Sequence, residues 1–189
     1  MFDDLKEYAL INHIPIIKDE GLSFLLLNIK KYNIKDVLEV GSAIGYSALN
    51  MASLGAKVTT IERNLDMYNE AIKNISKYNF QDKIEVVYMD ALSYTPNKLY
   101  DLIFIDAAKA QNQKFFLRFT PFLKVGGIVI VDNLNFHGLI DEIDDIKNKN
   151  LRSMLKKIKA FREWLIDNSD YKSEIIDVGD GMSISVKLK

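Results

Sequence analysis

The sequence predicts a doubly wound α/β sheet, seven-stranded and mostly parallel, with an antiparallel hairpin at its C-terminal edge. Three observations predict it. Runs such as Leu102-Ile103-Phe104-Ile105 and Ile128-Val129-Ile130-Val131 lack polar alternation, as strands buried on both faces do. Segments with three- and four-residue apolar spacing alternate with these runs. An apolar strand over 36–40 enters a glycine-punctuated turn, Gly41-Ser42-Ala43-Ile44-Gly45, and then a helix, the junction at which Rossmann-like sheets bind nucleosides.

In order, residues 1–12 and 19–32 carry helical spacing and are joined by a turn around Pro15, whose neighbours are pushed toward extended geometry. Strand 36–40, helix 45–54, strand 57–61, helix 64–78, strand 83–88, strand 100–105, helix 110–120 and strand 127–131 follow. Residues 134–150 are polar and acid-rich. A basic amphipathic helix comes next, covering Leu151 to Leu165, and strands at 172–177 and 182–188 meet through Gly179-Asp180-Gly181, a tight-turn signal. One domain is expected over 1–189: N-terminal helices in 1–33, a ligand-binding core in 36–133, and a substrate-side loop, helix and hairpin in 134–189.

At 189 residues and 48% hydrophobic, the chain suits one well-buried domain. No window approaches twenty consecutive apolar residues, and the start lacks the basic-then-apolar layout of a secretory signal, so a soluble cytoplasmic protein with no membrane partner is expected. Without cysteine, and with only His13 and His137, neither a thiolate nucleophile nor a sulfur- or histidine-bound zinc site is expected, and any metal must be held by oxygens. A net charge of −1 gives no global attraction to nucleic acid; a polyanion would need a local basic patch.

The glycine turn lacks the G-x-G-x-x-G of dinucleotide sites, so a pyrophosphate has no evident cradle. E-x-G-x-x-x-G, followed about twenty residues on by Glu62 at the end of the second strand, suits S-adenosylmethionine (SAM), which has no phosphate; the strand-end carboxylate can accept from both ribose hydroxyls. The competing reading is an ordinary strand-to-helix turn beside an exposed Glu62. Beyond the ends of two further strands lie Asp106 and Asp132-Asn133, hard oxygen donors suited to Mg²⁺ or Mn²⁺, unless Asp106 merely caps a helix and Asp132-Asn133 is a turn. Lys109, three residues after Asp106, reads equally as a solvated lysine or as a general base whose charged form a neighbouring dication disfavours.

Glu39-x-Gly41-x-x-x-Gly45-Tyr46-Ser47, Glu62, Asp106-Ala107-Ala108-Lys109 and Asp132-Asn133 resemble, over nearly the whole chain, the metal-dependent O-methyltransferases of the catechol and caffeoyl-CoA type. Three further stretches resemble the bacterial tRNA 5-hydroxyuridine methyltransferases more closely. They are His13 to Gly21, Asp106 to Gln111 with Lys114-Phe115-Phe116, and Val178 to Ser185. The resemblance implies a Rossmann-like methyltransferase fold and assigns Glu39, Gly41, Ser42, Tyr46 and Ser47 to the methionine and sulfonium end of SAM. It gives Glu62 to the ribose, Ala91 to the adenine, and a residue at or near Ile17 to the cofactor. Asp106, Asp132 and Asn133 match the metal ligands, with Asp106 shared with the cofactor, and Lys109 matches the base. Leu92 departs from the pattern, standing where some relatives place a polar adenine contact.

The implied reaction methylates the 5-hydroxyl of a wobble uridine in the tRNA anticodon, giving 5-methoxyuridine; the alternative acceptor is a small catechol. For tRNA, Lys147, Lys149, Arg152, Lys156, Lys157, Lys159 and Arg162 offer a phosphate-tracking patch, whose commoner meaning is a solvated helix face. Phe136, Trp164 and Tyr171 can wall either acceptor or belong to the core. A cofactor-binding protein without catalysis is a third reading, which the Asp/Asp/Asn/Lys set disfavours. Relatives of this shape imply a homodimer.

Overall fold

Residues 2–136, 138–140 and 142–189 are described by the computed structural model of the chain, so His137 lies outside the described residues. Two helices, α1 (Asp3–Ile11) and α2 (Asp19–Lys31), precede β1 (Asp36–Val40), α3 (Tyr46–Ser53), β2 (Lys57–Glu62), α4 (Leu65–Lys77) and β3 (Ile84–Tyr88). β4 (Tyr100–Ile105), α5 (Asn112–Phe119), β5 (Leu123–Val131), α6 (Lys149–Asp167), β6 (Tyr171–Ile176) and β7 (Met182–Lys187) complete the chain. The strands form one seven-stranded sheet in the order β3-β2-β1-β4-β5-β7-β6. The first five are parallel, and β7 joins β5 and β6 antiparallel, as the sequence predicts.

Side chains alternate across the strands and divide the core in two. Val37, Val58, Leu102, Phe104, Ile128 and Ile130 face one cluster with residues of α1–α4. Leu38, Val40, Ile61, Ile103, Ile105, Val129 and Val131 face the other, with Phe115, Phe116 and Phe119 of α5 and Leu155, Ile158 and Phe161 of α6. Both faces of the central strands are therefore apolar, which explains their unbroken hydrophobic runs. Strand order reverses between β1 and β4, and their carboxyl ends open onto a crevice there.

Element ends differ modestly from the sequence reading. β5 begins four residues earlier than expected, because Leu123 pairs with Tyr100 across an irregularity in the register. α6 begins at Lys149, where the Asn148 side chain accepts from the backbone N–H groups of Asn150 and Leu151 and caps the helix. The expected helix 110–120 is resolved into a 3₁₀ turn at Lys109–Gln111, α5, and a second 3₁₀ turn at Thr120–Phe122, where Pro121 lacks the N–H needed for continuation. Among the described residues no helix is long and apolar enough to cross a membrane.

Candidate active site

Gly41 makes the crevice possible for a reason other than ligand access. Its φ is +99°, and a Cβ there would lie 2.1 Å from the Asp106 carbonyl oxygen. Bare backbone at Gly41 thus lets the end of β1 approach the end of β4, bringing the turn that opens α3 against the segment carrying Asp106. The two motifs become the walls of one cavity of about 440 Å³. Its lining includes Ile17, Gly41, Ser42, Tyr46, Ser47, Glu62, Ala91, Asp106, Lys109, Asp132 and Asn133, residues that the sequence spreads over more than a hundred positions.

Glu39 is the exception among the expected site residues. It is 0% exposed and does not line the cavity; the Ser47 hydroxyl donates to its Oε1. Inward direction on a central strand is the cause, since Glu39 pairs in register with Thr60 and Phe104 inside the sheet. Burial pushes its carboxyl up to about 8, with the nearby Asp106 and Glu62 charges adding to the effect. Glu39 acts on the cavity from beneath, by holding Ser47.

The rest of the cofactor wall is polar where the turn is and apolar elsewhere. Glu62 is fixed by three backbone donors: Ala43 N at 3.0 Å, Arg63 N at 2.9 Å and Asn64 N at 2.8 Å. These bonds tie β2's terminal carboxylate to the glycine turn and leave one lone pair, on Oε2, for a ligand's hydroxyl. The Ser42 hydroxyl is buried in the lining with no hydrogen-bond partner among the described residues, an orphan that a polar ligand atom would satisfy. Ile17 and Ala91 supply apolar surface. The cradle fits a nucleoside with a polar amino-acid tail, as SAM is.

At the far end, Asn133 takes a left-handed backbone with φ +66°, and its side-chain N–H donates to Asp106 Oδ1 at 2.9 Å. Its backbone N–H donates to Asp132 Oδ1 at 2.6 Å. Burial pushes Asp106 up to about 7, with repulsion from Asp132 as the second cause and Lys109 opposing. Burial likewise pushes Asp132 up to about 6, helped by the Asp180 charge. Two carboxylates held close against their mutual repulsion, with an amide that can present its oxygen, fit a hard divalent cation. The set holds two acids and an amide, and no group of three His, Cys, Asp or Glu suited to a metal occurs among the described residues. The Lys109 ammonium lies 4.5 Å from the centroid of the Phe136 ring.

A family model described as O-methyltransferase matches residues 3–188. The chain belongs to this family. The methyltransferase is 31% identical over 196 residues to the caffeoyl-CoA O-methyltransferase of Populus kitakamiensis, across 97% of this chain and 82% of that one. A crystallised Staphylococcus aureus protein, provisionally assigned as a caffeoyl-CoA O-methyltransferase, matches with TM-score 0.94 at 40% identity, over 98% of this chain and 91% of its own. The Bacillus cereus O-methyltransferase in complex with SAH shares the fold at 23% identity and TM-score 0.82, over 98% and 89% of the two chains. The protein is a SAM-dependent O-methyltransferase resembling the caffeoyl-CoA type.

Sequence reasoning gave no site role to five polar residues that line the methyltransferase cavity: Lys18, Arg63, Asp90, Gln111 and Asp180. Asp180, in the turn before β7, and Lys18, before α2, approach to 3.9 Å and both line the cavity. The glycines flanking Asp180 were legible as a turn, but only the fold shows that this turn reaches the ends of β4 and β5. Trp164 and Tyr171, expected either at the acceptor or in the core, pack edge-on against Phe116, at centroid distances of 5.3 and 5.0 Å, and do not line the cavity.

The ribose assignment of Glu62 is testable in isolation. Glu62→Gln keeps an oxygen for the Arg63 and Asn64 donors but removes the charge and the acceptor facing Ala43, so SAM affinity measured by calorimetry should fall about tenfold, or about 1.4 kcal/mol. Wild-type affinity in a folded variant would reject the assignment.

Proposed function

We propose that the methyltransferase acts on one of two vicinal oxygens of a small catechol-like acceptor, such as a caffeoyl ester, with Asp106, Asp132 and Asn133 holding a divalent cation and Lys109 serving as general base. The carrying observation is that these four residues share one cavity with the Gly41–Ser47 turn and Glu62. The identity to the Populus caffeoyl-CoA enzyme favours a small acceptor.

When bound, SAM supplies a reactive sulfonium methyl, and a divalent cation supplies the charge that acidifies a hydroxyl and aligns its vicinal neighbour. The chain does the rest. Glu62 and the Gly41–Ser47 turn orient the donor, while Ile17 and Ala91 exclude water from its apolar parts. Lys109 Nζ, in its neutral form, takes the acceptor's hydroxyl proton, and the oxygen attacks the methyl carbon as the carbon–sulfur bond breaks.

A second reading takes a wobble 5-hydroxyuridine of tRNA as acceptor, its 5-hydroxyl and 4-carbonyl being the vicinal pair. The observation favouring it is a shallow concavity on α6 lined by Lys149, Arg152, Ser153, Lys156, Lys157 and Ala160. These residues recur at three- and four-residue intervals on the side opposite Leu155, Ile158, Phe161 and Leu165. A cationic strip so placed can follow phosphates.

Methyl transfer to a catechol and to tRNA carrying 5-hydroxyuridine, measured side by side over a range of salt, separates the two. Catechol turnover should exceed tRNA turnover, and replacing Lys156, Lys157 and Lys159 together with glutamine should leave it unchanged. Efficient tRNA methylation that weakens with salt, and loses that dependence in the triple variant, would replace the small-acceptor reading by the tRNA one.

A further inference from the structure

Arg162 does not belong to the cationic face of α6. It stands in the same helical row as Leu151, Leu155, Ile158 and Leu165, turned toward the body of the protein and half-buried. Its Nη1 donates to the Leu134 carbonyl at 3.3 Å and to Asn135 Oδ1 at 2.9 Å. Those acceptors belong to the two residues immediately after Asn133, whose left-handed backbone is uncommon for a non-glycine residue, though asparagine tolerates it better than most.

The other restraints on this segment come from the hairpin turn. Leu134 N donates to Gly181 O and Asn135 N to Asp180 O, each at 2.8 Å, while Asn135 Nδ2 donates to Asp177 Oδ1 at 2.8 Å. At Gly181 a Cβ would lie 2.4 Å from Asn135 Cγ, so the turn closes directly onto this side chain. The segment is therefore gripped from two sides, by backbone of the β6–β7 turn and by a single guanidinium from α6.

We propose that Arg162 is a positioning residue: by clamping Leu134 and Asn135 it holds Asn133 in the left-handed conformation that keeps its amide beside Asp106 and Asp132. The inference rests on the reading of those three residues as cation ligands. A guanidinium suits the task because the two N–H bonds of Nη1, held in one plane, address two acceptors at once, and its charge survives at every working pH. Groups behind metal ligands commonly govern affinity by fixing ligand orientation.

Mn²⁺ binding to the full-length protein, followed by electron paramagnetic resonance, tests it, with SAM affinity measured by calorimetry on the same samples. Arg162→Met keeps the length and apolar contact of the stem; it should weaken Mn²⁺ about tenfold or more and leave SAM affinity unchanged. Arg162→Lys, which keeps the charge but has a shorter stem and no planar group, should fall between. Asn135→Ala removes the nearer of Arg162's two acceptors together with the bond to Asp177, should reproduce the loss of Mn²⁺ affinity, and serves where Arg162→Met does not fold. Unchanged Mn²⁺ affinity in folded Arg162→Met overturns the inference, as does a parallel loss of SAM affinity, which would mark a general structural support. The ligand reading is judged separately by Asp106→Asn with Asp132→Asn. If Mn²⁺ still binds that double variant, or does not bind the wild type, the ligand assignment falls and this inference with it.

Discussion

Lys109→Met should lower kcat for a catechol acceptor by about 10²–10⁴-fold while changing KM and SAM affinity little, because a positioned general base contributes about that much and acts only in the transition state. Methionine keeps an unbranched apolar stem but lacks the ammonium that sits over the Phe136 ring, so it removes base and charge together. Lys109→Arg divides the base from a fixed positive charge. Arginine keeps the cation above Phe136 but cannot give up its proton in a protein, so it cannot accept one from the acceptor. If Lys109 is the base, the arginine variant is as slow as the methionine variant. Near-wild-type turnover with arginine would show that the cavity needs only a charge there, and the proton acceptor would have to be sought elsewhere.

The parallel sheet and its two apolar faces were legible in the sequence because parallel strands buried on both sides leave unbroken runs, and the turn after β1 was legible from the glycine at 41. Less legible was why that glycine is needed: it faces the Asp106 carbonyl, a contact sixty-five residues away along the chain. The site residues were found where a strand end announced them, as at Glu62, Asp106 and Asp132. They were missed where a turn brings them in, as at Lys18 and Asp180, since a turn signal gives conformation and not destination. Glu39 illustrates a different limit. Its motif position beside the glycine turn suggests a ligand contact, but strand alternation from Val40 directs it inward, and that period was readable all along. Arg162 is similar: counted by composition it joined the basic patch, whereas counted by helical row it stands among leucines, which is the signature of a charge with a specific partner.

Binding of the proposed divalent cation carries the other large expected effect, and its pH dependence has a definite sign. Asp106 and Asp132 are held above the ordinary carboxylate range in the folded protein, at about 7 and about 6, mainly by burial. Unfolding relaxes both toward the ordinary aspartate value of about 3.8, so the metal-free fold is most stable where both are protonated. It loses stability as pH rises from about 4 through about 7, where the folded state must ionise them. A cation competes with those protons, so its affinity should increase as pH rises through 6 to 7. At pH 8 and a hundredfold excess over its Kd, Mn²⁺ should stabilise the protein by about 2.7 kcal/mol and raise Tm by about 5–10 °C, with a smaller rise at pH 5.5. Asp106→Asn with Asp132→Asn should abolish the shift.

The most direct test of the account is methyl transfer from SAM to a vicinal dihydroxy acceptor and to its monohydroxy analogue, with Mg²⁺ or Mn²⁺ and with chelator. Turnover of the dihydroxy compound that vanishes in chelator and returns with metal, with the monohydroxy analogue inert throughout, is the predicted result. Equal turnover in chelator, or of both compounds, would contradict it.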